Sequence, residues 1–320
     1  MSASIQGGAA AATEGVDVAA ARRPGSIRHV ALREPTAIAG LAIIAFFVLV
    51  ALLSPILVTG DPKAKVGPIF EPPSASYPLG LDGGGANMLE LLIAGTRVSL
   101  LVGFCAALVS AFIGGTVGVL AGFYGGKTDV VLMRTTDYFL VIPDIPLMIV
   151  AAALFGRSLT NIIIIIGIIY WTTTARLIRA QVLSVRERVY VKRARALGAG
   201  NKRLIFKHIL PQVAPLLVAN TVLHVAYGIF AETFITFLGL GDPSVISWGR
   251  LIENAFNDDA ILNNAWWAII PPGLCVTLVV LGATLFGQSL EDALNPRLRV
   301  GHLSVRRFKV RPLRGKLDSE

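Results

Sequence analysis

Charge is scarce in this chain. Asp, Glu, Lys and Arg make up 15% of its 320 residues, while 54% are hydrophobic. Soluble domains carry about 25% charged residues, so the shortage excludes an ordinary soluble globule and points to an integral membrane protein. Acids are scarcer than bases, 20 against 29, leaving a net charge of +9. An excess of bases suits nucleic acid only when it is gathered on one folded face. Here it lies in blocks beside apolar runs, the pattern of membrane topology, so no nucleic-acid partner is expected. Cysteine is nearly absent. Cys105 and Cys275 both fall inside apolar runs, and neither a disulfide framework nor a thiolate metal pair follows from them. The four histidines are scattered, with no HExxH and no nucleophile set beside a base. No catalytic residue and no metal site is expected, and the chain reads as non-catalytic.

What the chain has in abundance is long apolar runs. Residues 1–33 are rich in Ala and Gly and aperiodic, the composition of a disordered arm. Pro35 suits a first helical turn, and a first span is expected over 34–58, stopped by Gly60-Asp61-Pro62. Its apolar run of about 20 residues exceeds the core of a signal peptide and reads as an uncleaved anchor. Residues 59–96, rich in Pro and Gly, read as a loop. Five further spans are expected within 97–295: Val98 to Phe123, Asp129 to Phe155, Leu159 to Ile178, Gln212 to Leu238 and Trp266 to Leu290. The fold class is all-α, an integral membrane protein of six transmembrane helices. A basic stretch, 296–320, suits anionic headgroups of the lipid bilayer.

Several spans carry features of their own. Gly114, Gly118 and Gly122 form a ladder at four-residue spacing that invites close approach of another helix. Pro143 and Pro146 flank Asp144 and predict a kinked third span, whose freed carbonyls need protein or water as partners. Asp137 is expected to pair with Arg134. Five consecutive isoleucines, Ile162 to Ile166, read as largely lipid-facing. In the fifth span Asn220, Thr221, His224, Glu232 and Thr236 fall within an arc of roughly 160° at 100° per residue. Polar groups inside a bilayer turn toward a bundle interior or a watery cavity. With Asp144 they are the candidate lining of a translocation path; the alternative is that His224 and Glu232 are hydrogen-bonded packing groups. Ala121 to Thr128, AGFYGGKT, satisfies a loosened phosphate-loop pattern, but a membrane helix precedes it where that chemistry needs a strand, so it reads as a turn.

Six spans put both termini on one side. Of the 29 bases, all but Lys63, Lys65, Arg97, Arg157 and Arg250 fall on that side. The excess of bases marks it as cytoplasmic in a cell (inner or plasma) membrane.

The same side holds the charged island 190–211, YVKRARALGAGNKRLIFKHILP. Val191, Ala194 and Leu197 recur at helical spacing up to Gly198, where Gly198-Ala199-Gly200 should break the helix. Asn201 is placed to cap a second helix, Lys202 to Leu210, ending at Pro211. The result is a helix-turn-helix outside the membrane.

This spacing resembles the EAA loop of ABC-importer permeases, in which Glu-Ala-Ala, three residues, Gly, nine residues, Ile, one residue and Leu-Pro follow in order. Ala194, Gly198, Leu210 and Pro211 fit; Lys192, Arg193 and His208 stand where the pattern has Glu, Ala and Ile. RALGA…IFKHILP and the later FLGLGDP…SWG, Phe237 to Gly249, are closer to the dipeptide/oligopeptide/nickel branch. Tyr77-Pro78-Leu79-Gly80 resembles its external loop, although Leu81 to Asn87 departs from the usual Thr-Asp, two residues, Gly-Arg-Asp. The resemblance covers about Arg97 to Asn295. It implies a non-catalytic transmembrane subunit of an ATP-driven importer of small peptides or a related solute. The implied partners are a second homologous permease, two ATPase subunits or domains that bind ATP and Mg, and an external substrate-binding protein. This chain itself would bind no cofactor. The residues implied in ATPase coupling are Val191, Ala194, Leu197, Gly198, Ala199, Leu210 and Pro211. The alternative is a secondary transporter driven by an ion gradient, with His224, Glu232 and Asp144 as a relay; no internal repeat of the kind common in such transporters is evident.

Overall fold

In the computed structural model, which describes residues 34–294, every span is helical. The arm 1–33 and the basic stretch from 296 onward lie outside the described residues. Helix α1 (Pro35–Leu57) starts with Pro35 in its first turn, where a missing N–H costs nothing. Helix α2 (Met88–Tyr124) begins well before the expected Val98 and shortens the expected loop 59–96. Its start is set by Asn87, whose side chain accepts from the Leu89 N–H at 3.1 Å and donates to Glu90 at 2.9 Å, a reciprocal cap that satisfies otherwise orphaned donors. The departure at Leu81 to Asn87 also resolves. Asp82 and Gly85 stand at the Asp and Gly positions of the usual loop, and Asn87 caps where that loop has its second Asp. Asp82 accepts from the Gly84 and Ala86 N–H groups, and Gly85 turns at φ +80°.

The third span is broken rather than kinked. Helices α3 (Gly126–Val141) and α4 (Asp144–Phe155) meet at 88°. The reason is local: the residue before a proline is pushed out of the helical region, and Ile142 is extended at ψ 126°, as is Pro143 at ψ 131°. Helix α5 (Leu159–Arg186) overturns the lipid-facing expectation. Ile162, Ile165, Ile166 and Ile169 are buried, and only Ile164 and Ile168 of that stretch are exposed. Lipid and protein interior are equally apolar, so hydropathy could not tell them apart.

After the short helices α6 (Val189–Ala196) and α7 (Asn201–Leu204), a π turn at Ile205–Ile209 leads into α8 (Leu210–Ile235) and a second π turn at Thr236–Leu240. The helix therefore does not end at Pro211. The π turn, closed by the Leu210 N–H reaching Ile205 O, moves the register just where Pro211 has no N–H to give, so the chain passes through it. Helices α9 (Trp248–Asn257) and α10 (Trp266–Leu294) complete the fold. Among the described residues five helices are long and apolar enough to cross a membrane, or six when the bent α3–α4 pair is taken as one span.

Helix α2 is the centre of the bundle, packing most extensively on α5 and then on α8, while α1 is held through α10. The glycine ladder makes the first contact possible. A Cβ on Gly118 would lie 2.7 Å from Ala175 O, one on Gly122 would lie 2.7 Å from Val182 Cβ, and one on Gly114 would strike Trp171 O. The two ends of the bundle are distinct. At one, Trp267 Nε1 donates to Leu81 O at 3.0 Å and Lys63 Nζ to Ser244 O at 3.2 Å. At the other, Thr36 and Ser289 share a 3.0 Å hydroxyl contact, and the short helices pack on the α2 end.

Replacing Gly118 by Leu should cost about 3 kcal/mol through overpacking. Gly273→Ala, where the added methyl meets nothing within 4 Å, should cost nothing. Thermal unfolding of the purified chain in detergent reads both.

Candidate functional site

The island Val189–Leu210 is rigid on its inner side. Val191, Leu204 and Ile209 are buried with Phe123, Ile178, Val182 and Val185, and Ala194, Ala199 and Leu210 pack against the same cluster. Helix α6 stops as expected: Ala199 N–H reaches Ala194 O and Gly198 N–H reaches Arg195 O, both at 3.0 Å. Gly198 adopts φ +82° between them, the Schellman arrangement. The expected cap on the second helix is absent, because Gly200 occupies the cap position and Asn201 is already helical. Polar contacts tie the element to its neighbours. Arg195 lies 5.7 Å over the Phe123 ring of α2, and Lys192 pairs at 2.9 Å with Glu187, just past the end of α5; α5 is itself joined to α2 by Arg186, which donates to Gly122 O at 2.7 Å. The Lys192 ammonium holds the Glu187 carboxyl below its ordinary range.

The outer side differs. Leu197, at the tip of the turn, is 89% exposed, and Phe206 is 68% exposed. Gly198 and Pro211 are also exposed. Of the seven residues expected at this site, then, four pack inward as a platform and three face outward. Phe206, Val189 and Tyr190 are outward apolar residues that the spacing argument missed; an apolar side chain on an otherwise basic surface is the signal that marks them.

The polar face of α8 is mostly interior. Asn220 donates to Thr174 Oγ1 at 2.9 Å, Thr174 approaches Ser110 at 3.4 Å, and Ser110 contacts His224 Nδ1 at 3.0 Å, joining α8, α5 and α2. Thr173 reaches the other ring nitrogen at 3.5 Å. Thr221 bonds back to Leu217 O at 2.7 Å. Glu232 is sealed, with Thr236 donating to its Oε1 at 3.0 Å and Oε2 unpartnered. Asp144 lines a cavity, which it shares with Tyr170 and Tyr227. Asp137 pairs with Arg176 at 2.6 Å and not with Arg134, while Asp129 takes both prongs of Arg179 at 2.5 Å.

The segment Phe237 to Gly249 turns the chain at the other end. Gly239 sits at φ +79°, a Cβ on Gly241 would strike Thr236, and one on Gly249 would lie 2.8 Å from Thr233 Cα. Trp248 is fully buried, donating its backbone N–H to Ser99 Oγ at 3.0 Å and its indole N–H to Leu92 O at 3.2 Å. Arg250 bridges Glu253 and Gly241 O. Asp242 accepts from Ser244 Oγ at 2.6 Å and Ser244 N at 2.9 Å through one oxygen, and from Leu159 N at 3.1 Å through the other. It thereby supplies an acceptor from a distant loop to the unpaired N–H donors of the α5 N-terminus.

A helical bundle of up to six spans with a structured helix-turn-helix at one end is the architecture of a multi-pass membrane protein. Residues 114–300 match the binding-protein-dependent transport system inner membrane component family, and the chain belongs to that family. It is similar to a dipeptide transport system permease protein of Alkalihalophilus pseudofirmus, 36% identical over 83% of this chain and 88% of the relative. An oligopeptide transport system permease protein of Bacillus subtilis is 33% identical over 82% and 86%. A glutathione transport system permease protein of Pectobacterium atrosepticum is 34% identical over 72% and 75%. The chain is a transmembrane subunit of an ABC importer of the peptide-permease type.

The Ser244 hydroxyl, aided by the Ser244 and Leu159 N–H groups, holds the Asp242 carboxyl below its ordinary value of 3.8. A depressed folded pKa contributes stability above the unfolded value and loses it as pH falls through the folded one. Asp242→Ala should therefore lower stability by about 1 kcal/mol at neutral pH. The native chain should lose this contribution only below pH 3.8; unfolding midpoints of both proteins across pH 3 to 7 check the expectation.

Proposed function

We propose that this subunit forms part of the path by which small peptides enter the cell, and that ATP hydrolysed on separate subunits drives it through Val189–Leu210. The observation that carries this reading is the two-sided island. A platform packed into the bundle presents Leu197 and Phe206 outward, and Arg193, Lys202, Arg203 and Lys207 are exposed on the same element. An apolar knob in a basic collar suits a cleft with an apolar floor and an acidic rim. The partners in this reading are two ATPase subunits or domains carrying ATP and Mg, a second homologous permease and an external binding protein. The chain's own role is non-catalytic, with the island and both termini on the cytoplasmic side. Closure of the ATPases would push α6, and the push would reach α2 through Phe123 and Gly122 and α8 through the continuous helix beyond Asn201, shifting a two-state equilibrium. An ion relay through His224, Glu232 and Asp144 draws no support from the geometry, because His224 and Glu232 are enclosed by packing partners rather than lining a shared cavity.

Gly198 has open space around it, so only its φ is demanding. Gly198→Asn should keep ATPase co-purification and ATP-dependent peptide uptake in proteoliposomes, since Asn tolerates the left-handed region. Gly198→Val should reduce both several-fold, and Leu197→Glu should abolish ATPase capture while leaving the chain folded. Capture unaffected by Leu197→Glu, or uptake that runs without ATP, would sink the reading.

A further inference from the structure

Asp144, a candidate path residue, lines an open cavity. It starts α4 at the 88° break, and its side chain makes no hydrogen bond or ion pair among the described residues. Beside it lies a cavity of about 480 Å³, walled by Pro143, by Tyr170 of α5 and by Tyr227, Phe230 and Phe234 of α8. The rings of Tyr170 and Tyr227 lie 5.9 Å apart, and His224 meets them edge-on at 5.7 and 6.1 Å. No Lys or Arg lines the cavity.

Depth gives this arrangement its meaning. Tyr170 lies roughly 16 Å along α5 from Leu159 at 1.5 Å per residue; with the apolar run of α5 entering the bilayer at Leu159, that is near the middle of a hydrocarbon core about 30 Å thick. A carboxylate without a partner is costly against acyl chains at that depth, so the cavity opens on water or on another subunit. Proline and the helix break keep Asp144 at the mouth, and aromatic faces supply the rest of the wall. An acceptor carboxylate beside π faces matches a primary ammonium, which donates to the carboxylate and rests its charge on the rings. An anion would find only repulsion from Asp144, and a neutral apolar solute would leave the carboxylate unpaired. The volume falls in the range of pockets that enclose small organic ligands.

We propose that this cavity is a binding site for the free amino terminus of a small peptide, with Asp144 taking the ammonium and the Tyr170, Tyr227 and Phe230 faces taking the first residue. The proposal rests on the reading that this importer carries peptides. Selection for a free amine is then made within the membrane by this chain, in addition to whatever an external binding protein selects.

The test is equilibrium binding of radiolabelled trialanine and N-acetyl-trialanine to the assembled transporter in lipid nanodiscs, without binding protein and without nucleotide. The native complex should hold the free amine about tenfold more tightly than the acetylated peptide. Asp144→Asn, which also starts a helix well, should erase the difference, and Asp144→Glu should retain most of it. Tyr227→Leu should weaken trialanine several-fold with Asp144 intact. Equal affinity of the native complex for the two peptides, no binding of either, or a preference unchanged in Asp144→Asn overturns the proposal. Loss of the second permease from the Asp144→Asn complex would make Asp144 an intersubunit pairing residue and overturns it too. Because binding is read without ATP, a failure of ATP-driven uptake bears on the transport reading alone.

Discussion

Acyl chains are as apolar as leucine, so the hydrophobic effect that assembles soluble proteins cannot draw one membrane helix to another; backbones must approach closely enough for dispersion and weak polar contacts to act. In this chain the approach is made where α2 offers glycine. Gly118 and Gly122 meet Ala175 O and the Val182 side chain, and Gly103 meets Gly228 of α8 backbone to backbone. Gly40 and Gly282 repeat the device between α1 and α10. A methyl group at Gly118 or Gly40 would have to displace backbone, not a flexible side chain. Helix α2 is thus the surface on which α5 and α8 are mounted, and the position of every polar group discussed above follows from that mounting.

Close backbones also bring small hydroxyl side chains within reach. The chain of contacts from Asn220 through Thr174 and Ser110 to His224 joins three helices at a depth where water is scarce and unpaired groups are costly. Such a network specifies rotation and register of the helices about their own axes, which apolar packing alone leaves loose. The ion pairs Asp129–Arg179 and Asp137–Arg176 do the same for α3, fixing the first half of the broken span. The second half, α4, remains tied by apolar contacts to α5 and α8. The break therefore separates a segment held by ion pairs from a more apolar one, with Asp144 at the start of the second.

The two ends of the bundle use different means to hold their connections. The end with Asp242 relies on turns and caps, in which glycines and short polar side chains satisfy donors that helices leave open. The end with the short helices relies on burial: Val191, Leu204 and Ile209 pack in one cluster with Phe123 of α2 and with Ile178, Val182 and Val185 of α5. The π turn at Ile205–Ile209 makes this continuous with α8. A helix ending at Pro211, as its spacing implied, would have separated the island from the long helix it now extends.

Much of this was legible in one dimension. Spans announce themselves because a membrane core demands about 20 apolar residues and has no other solvent to offer. Gly198 declared its turn, since only a few residues accept a left-handed backbone, and the glycine ladder declared a close contact. The sequence by itself therefore determined the number of spans, the basic asymmetry of the ends, the helix-turn-helix and the family. Which face of each helix is interior was decided only by the tertiary structure. Ile162 to Ile166 read as lipid-facing and are largely core; His224 and Glu232 shared an arc with path-lining candidates and are enclosed. The Asp144 cavity needs α4, α5 and α8 together, because its wall comes from residues about 26 to 90 positions away along the chain. The reason is common to all three. Lipid and protein interior have the same polarity, so hydropathy measures entry into the membrane and carries no information about which neighbour a side chain meets there.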